Sequence, residues 1–309
     1  MAEVIEELKD DRKHPAVHTY TSTLHSFAAF SGDAMPMNEV FTPGRLKEYE
    51  DWLLQRRLSW NTISTYMRTL QAVYNRLSPP GTPEHNPRLF DDVYTKVKSQ
   101  IKRALTEEQM GRLMHADLDV LSEELQRVQA YFLLMFLFRG MPFIDLAHLR
   151  KRDVKDGKIA YRRHKTGKQI TLRIPREALP LLKEFKDKDE TSLYLFPILN
   201  AAPEGDDALY ECYQKALRNF NKMLRVLAKR LLPGIKISSY TARHTWATLA
   251  YHIGMPIGII CQALGHSSIR VTETYLKPFE NEKVDKANRK LISTVKKQEG
   301  RSGGCFIYY

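Results

Sequence analysis

The segment Tyr240-Thr241-Ala242-Arg243-His244-Thr245 sets an arginine beside a histidine where a helical pattern opens, just after an expected strand at Ile235–Ser239. A guanidinium is planar, permanently charged and forked, so at a helix start it can hold two phosphate oxygens at once. Alone the pair is weak evidence, because such dipeptides are common. Two further segments sharpen it: Leu264-Gly265-His266-Ser267-Ser268 and Thr272-Glu273-Thr274-Tyr275, which place His266 nine residues before Tyr275. Earlier in the chain, His164-Lys165-Thr166-Gly167-Lys168 puts two ammonium groups in a turn, and Phe138-Arg139-Gly140-Met141-Pro142-Phe143-Ile144-Asp145 follows the longest apolar run. Guanidinium, imidazole, ammonium and phenol are groups that can work on a phosphodiester. Attack on that ester builds extra negative charge on the equatorial oxygens, which two guanidiniums can stabilise with no metal.

The charge balance agrees with a polyanionic partner. The 309 residues carry 48 Lys and Arg against 36 Asp and Glu, a net +12. Residues 1–104 hold 14 basic and 13 acidic groups, and residues 105–309 hold 34 and 23, so the excess lies with the candidate site. Nucleic acid is the leading reading and an anionic membrane surface the second; a merely lysine-rich soluble surface is the plain alternative. Cys212, Cys261 and Cys305 are few and far apart, which argues against a disulfide framework or a zinc site and fits a reducing cytoplasm. The acidic start of the chain is unlike a signal peptide. The apolar run from Val128 to Phe138 is too short for a membrane span and predicts a buried helix.

The elements that must position these groups fall into two parts. Tyr20, Leu24, Phe27 and Phe30 recur at helical spacing before Gly32, a C-cap. Thr42-Pro43 opens a second helix with Leu46, Tyr49 and Leu53 on one face. A third carries Ile63, Tyr66, Met67, Leu70, Val73, Tyr74 and Leu77 and stops at Pro79-Pro80-Gly81. Arg56, Arg57, Arg68 and Arg76 on the polar faces suit a DNA backbone, or simply solvent. Residues 83–104 are expected to be a basic linker, with Lys96, Lys98, Lys102 and Arg103. Thr106-Glu107-Glu108-Gln109 is a capping box that opens the second part. A helix at about 123–138 follows. Lys155-Asp156-Gly157-Lys158 is a turn, with strands at Ile159–Arg163 and Gln169–Ile174. Helices are expected at 176–187 and at about 209–229, 243–252, 256–263 and 280–297.

An Arg-His-Thr helix, then LGHSS, then T-x-x-Y at that distance resembles the tyrosine recombinase, or phage integrase, family over nearly the whole chain. The resemblance implies a mainly α fold. An N-terminal helical SAM-like core-binding domain precedes a C-terminal α+β catalytic domain with a small antiparallel sheet. The boundaries it suggests are an extension at 1–13, the core-binding domain at 14–82, the linker at 83–104, the catalytic domain at 105–298 and a tail at 299–309. It implies that Tyr275 attacks phosphorus to give a 3′-phosphotyrosine, that Arg139 and Arg243 with His266 stabilise the charge, and that Lys165 protonates the leaving 5′-oxygen, with Lys168 as its rival. No cofactor and no metal are required. Double-stranded DNA is the partner, bound by a homotetramer at two sites that exchanges strands through a Holliday junction, the protein being a monomer or weak dimer off DNA, cytoplasmic and nucleoid-associated, with no membrane role.

Two positions depart from the family pattern. The first arginine box reads G-L-R-x-S-E-L, with its arginine three residues before the acid, and Pro142 stands there. Arg139, one helical turn earlier, is assigned the role, in an "RGM" box like that of integrases of gut-bacterial mobile elements; capping a helix or pairing with Asp145 is its plainer reading. Tyr240 replaces the usual histidine three residues before the second arginine and can donate a hydrogen bond but not act as a base near neutrality. The base is therefore open between this position and His266. Three rival readings follow: DNA relaxation of the type IB topoisomerase kind, a recombinase-like DNA-binding protein that has lost activity, and a plain basic nucleic-acid-binding module. The stripe Val284, Ala287, Leu291 and Val295 fits docking on a neighbouring copy or packing in cis. No separate arm-binding domain is visible, which leaves room for an invertase or a simple transposon integrase.

Overall fold

A computed structural model describes residues 1–11, 14–32, 37–97, 104–116, 120–200, 205–279 and 281–299. Among these, no helix is long and apolar enough to cross a membrane. The chain divides into two compact units, Met1–Gln100 with Pro203–Glu211, and Ile101–Ala202 with Cys212–Tyr309.

The first unit is helical: α1 (Ala2–Asp10), α2 (His14–Ser31), α3 (Met37–Val40), α4 (Pro43–Gln55) and α5 (Trp60–Leu77). Thr42 caps α4 through its side chain and Pro43 occupies the first turn, where its missing N–H costs nothing. Leu46, Tyr49, Leu53, Ile63, Met67 and Leu70 point inward at helical spacing and form the core. The Tyr49 hydroxyl donates to Ser26 Oγ at 2.7 Å, so its polar end is satisfied where its ring is buried. The start of the chain is no loose extension. It forms α1, which buries Val4 and Ile5, an amphipathic pattern too short to stand out among its acids. The expected linker differs as well. Leu89, Phe90 and Val93 join the same core, and the Tyr94 N–H donates to the Glu50 carboxylate at 2.6 Å. The prolines and glycine of 79–87 mark a turn in this unit rather than its end. Lys98, Lys102 and Arg103 of the basic tether lie outside the described residues, as do residues 300–309. Of the surface arginines, Arg56 stacks over Trp52 at 3.9 Å and Arg76 pairs with Glu7.

The second unit opens with α6 (Glu107–Met114), closed at its start by the expected capping box of Thr106 and Gln109. The apolar run is α7 (Glu123–Leu137), buried almost throughout, and its one interruption, Gln129, donates to the Leu113 carbonyl at 2.6 Å. After α8 (Phe143–Ala147) comes a three-stranded antiparallel sheet of β1 (Val154–Lys155), β2 (Lys158–Arg162) and β3 (Gln169–Arg173). The pairs Ile159–Leu172 and Tyr161–Ile170 put alternate residues of both long strands on the buried face. α9 (Leu179–Phe185), α10 (Asp206–Leu231), whose residues up to Glu211 fall in the first unit, α11 (Ser239–His252), α12 (Ile257–Leu264), α13 (Ile269–Glu273) and α14 (Asn281–Glu299) complete it. The strand expected at Ile235–Ser239 does not form. Side chains satisfy this backbone instead: the Ser238 N–H donates to Thr241 Oγ1 and the Ser239 N–H to Asn221 Oδ1. On α14, Val284, Ala287 and Leu291 are exposed, and the Val295 side chain lies outside the described residues.

Candidate active site

Arg243 lies in the second turn of α11, not at its opening, because the helix begins at Ser239. It is only 2% exposed. Its Nη1 donates to the Gly140 carbonyl at 2.7 Å, and its Nη2 to the Leu264 carbonyl at 2.5 Å and toward His266 Nε2 at 3.0 Å. The Gly140 contact explains the glycine of the "RGM" segment. A Cβ there would meet Arg243 Cα at 3.0 Å, and φ is +68°.

A guanidinium has no acceptor, so His266 Nε2 must accept from Arg243 and the ring proton sits on Nδ1, donating to Thr272 Oγ1 at 2.9 Å. Burial, then Arg243, Arg163 and the two lysines of the hairpin, push the His266 pKa down to about 3. The imidazole is neutral near pH 7.

Three successive carbonyls around His266 each hold a cation. Leu264 O accepts from Arg243, Gly265 O from Arg163 Nη1 at 3.1 Å, and His266 O from Lys168 Nζ at 3.5 Å. Gly265 makes this possible as the left-handed cap of α12; a Cβ would lie 2.6 Å from Ile170 Cδ1 on β3. Arg163 follows β2 and continues the inward face of Ile159 and Tyr161. It is 5% exposed, with Nε 3.8 Å from Asp145 Oδ2. The other oxygen of Asp145 accepts the His164 N–H at 2.9 Å. Burial raises the Asp145 pKa, opposed by that hydrogen bond and the neighbouring arginines.

Tyr275 closes the constellation just after α13. Its ring centroid is 4.8 Å from those of His266 and His244, and Arg243 Cζ is 5.6 Å from it. Its carbonyl accepts from Thr248 Oγ1 at 3.3 Å. The Tyr240 ring stacks at 6.3 Å. Desolvation of its hydroxyl end, then Tyr275, push the Tyr240 pKa up to about 12, although the ring as a whole is 45% exposed. Tyr240 therefore stays protonated near neutrality and is not available as a base.

Of the residues singled out in the sequence, Tyr240, Arg243, His266 and Tyr275 come together directly. Lys165 is exposed in the hairpin loop, near enough to act electrostatically on His266. Arg139 is half-buried just past α7 with φ +59°, and makes no ion pair with Asp145; Arg163 holds that place. Arg163 went unnoticed in the sequence, though strand parity from Ile159 and Tyr161 would have aimed it inward. His244, the histidine beside Arg243 in the sequence, packs on Tyr275.

Residues 103–282 match the phage integrase family and residues 1–77 the phage integrase SAM-like domain. The chain belongs to the phage integrase family. This integrase-family enzyme is similar to tyrosine recombinase XerA of Pyrococcus furiosus, 25% identical over 303 residues, 93% of this chain and 94% of that one. It is also similar to a tyrosine recombinase of Thermosipho africanus, 23% identical over 72% of this chain and 74% of the relative. Among solved structures, the Tn1549 transposon integrase in complex with transposon right end DNA superposes with a TM-score of 0.63 at 16% identity, covering 93% of this chain and 97% of that one. A lambda integrase tetramer bound to a Holliday junction gives 0.62 at 15% identity, covering 89% and 76%. The fold is that of a tyrosine recombinase: mostly helical, with a small antiparallel sheet.

Proposed function

We propose that the chain carries out site-specific DNA recombination, as integration, excision or inversion, through a covalent link to Tyr275. The observation that carries this reading is the packing of the Tyr275 ring against both His266 and the buried Arg243. The Tyr275 oxygen attacks phosphorus and the P–O5′ bond breaks, leaving a 3′-phosphotyrosine and a free 5′-hydroxyl. Arg243 moves part of its donor fork onto the non-bridging oxygens. That releases His266 Nε2 to take the phenolic proton, while the charge of the bound diester raises its basicity. Lys165 gives the departing 5′-oxygen its proton, with Lys168 as the alternative donor held at the His266 carbonyl. Tyr240 offers a hydrogen-bond donor and does not take the proton. The ester bond stores the energy, so the 5′-hydroxyl of another strand reverses the step without ATP.

The partner is double-stranded DNA, gripped by the basic second unit, with four copies assembling on two sites. The two structural neighbours were solved on DNA, one as a tetramer on a Holliday junction, and this supports the assembly. Off DNA the protein is a monomer or weak dimer, and in the cell it is nucleoid-associated. The exposed apolar stripe of α14 is the segment exchanged between copies. Relaxation of the topoisomerase type has no observation in its favour.

The test is covalent trapping on nicked duplexes drawn from the DNA flanking its own gene, without metal. A denaturant-resistant, protease-sensitive adduct with the natural protein and none with Tyr275→Phe is expected. Tight DNA binding without an adduct would replace this reading with an inactive DNA-binding one.

A further inference from the structure

The first arginine box has Pro142 three residues before Asp145, and proline has no side-chain donor for a phosphate. Yet a guanidinium does stand beside that acid. Arg163 reaches Asp145 from the β2–β3 hairpin, and its Nη1 hangs from the Gly265 carbonyl, next along the turn from the carbonyl that holds Arg243. The two guanidiniums flank His266 on one backbone segment.

We propose that Arg163 is a catalytic residue, giving the scissile phosphate the guanidinium that Pro142 cannot. The proposal rests on the recombinase reading. Its support is a charge imbalance. Arg163, Arg243 and Asp145 are all nearly fully buried, so two fixed cations share one carboxylate whose own ionisation is resisted by burial. Burying an unbalanced charge is costly, and a fold retains it where an ion of opposite sign arrives. Neither the Arg163 Nε nor the Arg243 Nε has a hydrogen-bond partner. A phosphodiester supplies one negative charge and two non-bridging oxygens, which matches the excess. No bond to Arg163 forms or breaks in the reaction; it lowers the energy of the charged transition state. Arg139, by contrast, makes no hydrogen bond to the turn at 264–266 among the described residues, and its backbone is occupied in turning the chain after α7.

Single-turnover adduct formation would be measured for the wild type, Arg163→Ala, Arg163→Lys and Arg139→Ala on nicked duplexes. Each would be run with a normal phosphate and with a neutral methylphosphonate at the mapped cleavage position. Arg163→Ala should lose about 100-fold or more on the phosphate. On the methylphosphonate its deficit should shrink to within roughly tenfold, because the charge to be neutralised is gone. Arg163→Lys should fall between, keeping charge but not the fork, and it carries the test if the alanine variant does not melt cooperatively. Arg139→Ala should stay within about tenfold of wild type on both. Equal losses for the Arg163 variants on both substrates would mean a structural role and overturn the proposal. So would wild-type rates in those variants, or a charge-dependent loss confined to Arg139→Ala. A wild type that forms no adduct on any duplex would instead sink the recombinase reading itself.

Discussion

In the first unit, Leu46, Tyr49, Leu53, Ile63, Met67 and Leu70 fill the interior, and arginines such as Arg56 and Arg76 lie outside on an indole or an acid. In the second, Arg163, Arg243, Asp145 and His266 sit inside, among the strands and helices that carry them. The first arrangement lowers the free energy of folding almost wherever one looks. The second holds buried charge at a cost in stability, which on the proposed reading a phosphate offsets. Thr241 and Thr245 accept from backbone N–H groups of the protein and serve the fold. Arg163 and Arg243 each keep a buried Nε with no hydrogen-bond partner, and it is these two that the proposed chemistry turns toward a phosphate.

The contrast breaks most visibly at Tyr275. Tyr275→Phe removes one oxygen from a half-buried ring, so the unit should fold and bind DNA within a few-fold of wild type while adduct formation drops below detection. An adduct in that variant would move the nucleophile elsewhere. Leu53→Ala in the first unit should do the reverse. A fully buried leucine truncated to alanine costs about 2–5 kcal/mol, seen as a lower urea midpoint, yet protein that remains folded should cleave at the wild-type rate. A large fall in that rate at low denaturant would show the two units to be less separable than their cores suggest.

Gly140→Ala tests where the two kinds of effect meet. Its φ of +68° and the 3.0 Å approach to Arg243 Cα predict strain of about 1–3 kcal/mol. The shift also moves Arg243, so adduct formation should fall by roughly tenfold or more. A variant that lost stability but kept the rate would detach Gly140 from the clamp.

Much of this was legible in the sequence. Helices whose apolar residues keep one period, such as α5 and α7, were readable, as was the capping box at Thr106. What was misread shares a physical cause: local signals reporting on tertiary context. Pro79, Pro80 and Gly81 mark a turn equally well at a domain's end or inside it, and only the burial of Leu89, Phe90 and Val93 decides. Ile235–Ser239 has strand-like composition, but a strand needs a neighbour, and Asn221 and Thr241 took its donors instead. Of the candidate site, spacing along one segment singled out His266 and Tyr275, and the structure brings both together with Arg243. Arg163 was missed because its contacts are with Asp145 and Gly265, which lie 18 residues before it and 102 after it. Counting within the first box reaches Pro142, and Arg139 one turn earlier was assigned the role; no count along that box reaches a guanidinium on the hairpin.

The smallest expected effect is a pH dependence, and its sign discriminates. His266 is held neutral by burial and by the cations around it, with its pKa near 3 in the folded state against an ordinary ~6.5 in the unfolded one. Above pH ~7 both states carry a neutral ring, so the stability difference between wild type and His266→Gln should be flat. As the pH falls below ~6.5 the unfolded chain takes up a proton that the folded site refuses, and wild type should lose stability relative to the variant. Asp145, with its pKa raised by burial, works in the opposite direction at low pH, but it is present in both proteins and largely cancels from the difference. Thermal melts of the two proteins from pH 5 to 8 would measure this. A difference that stayed constant down to pH 5 would mean the folded ring titrates normally, which is incompatible with an Nε2 that accepts from Arg243. The cation clamp around His266 would then have to be redrawn.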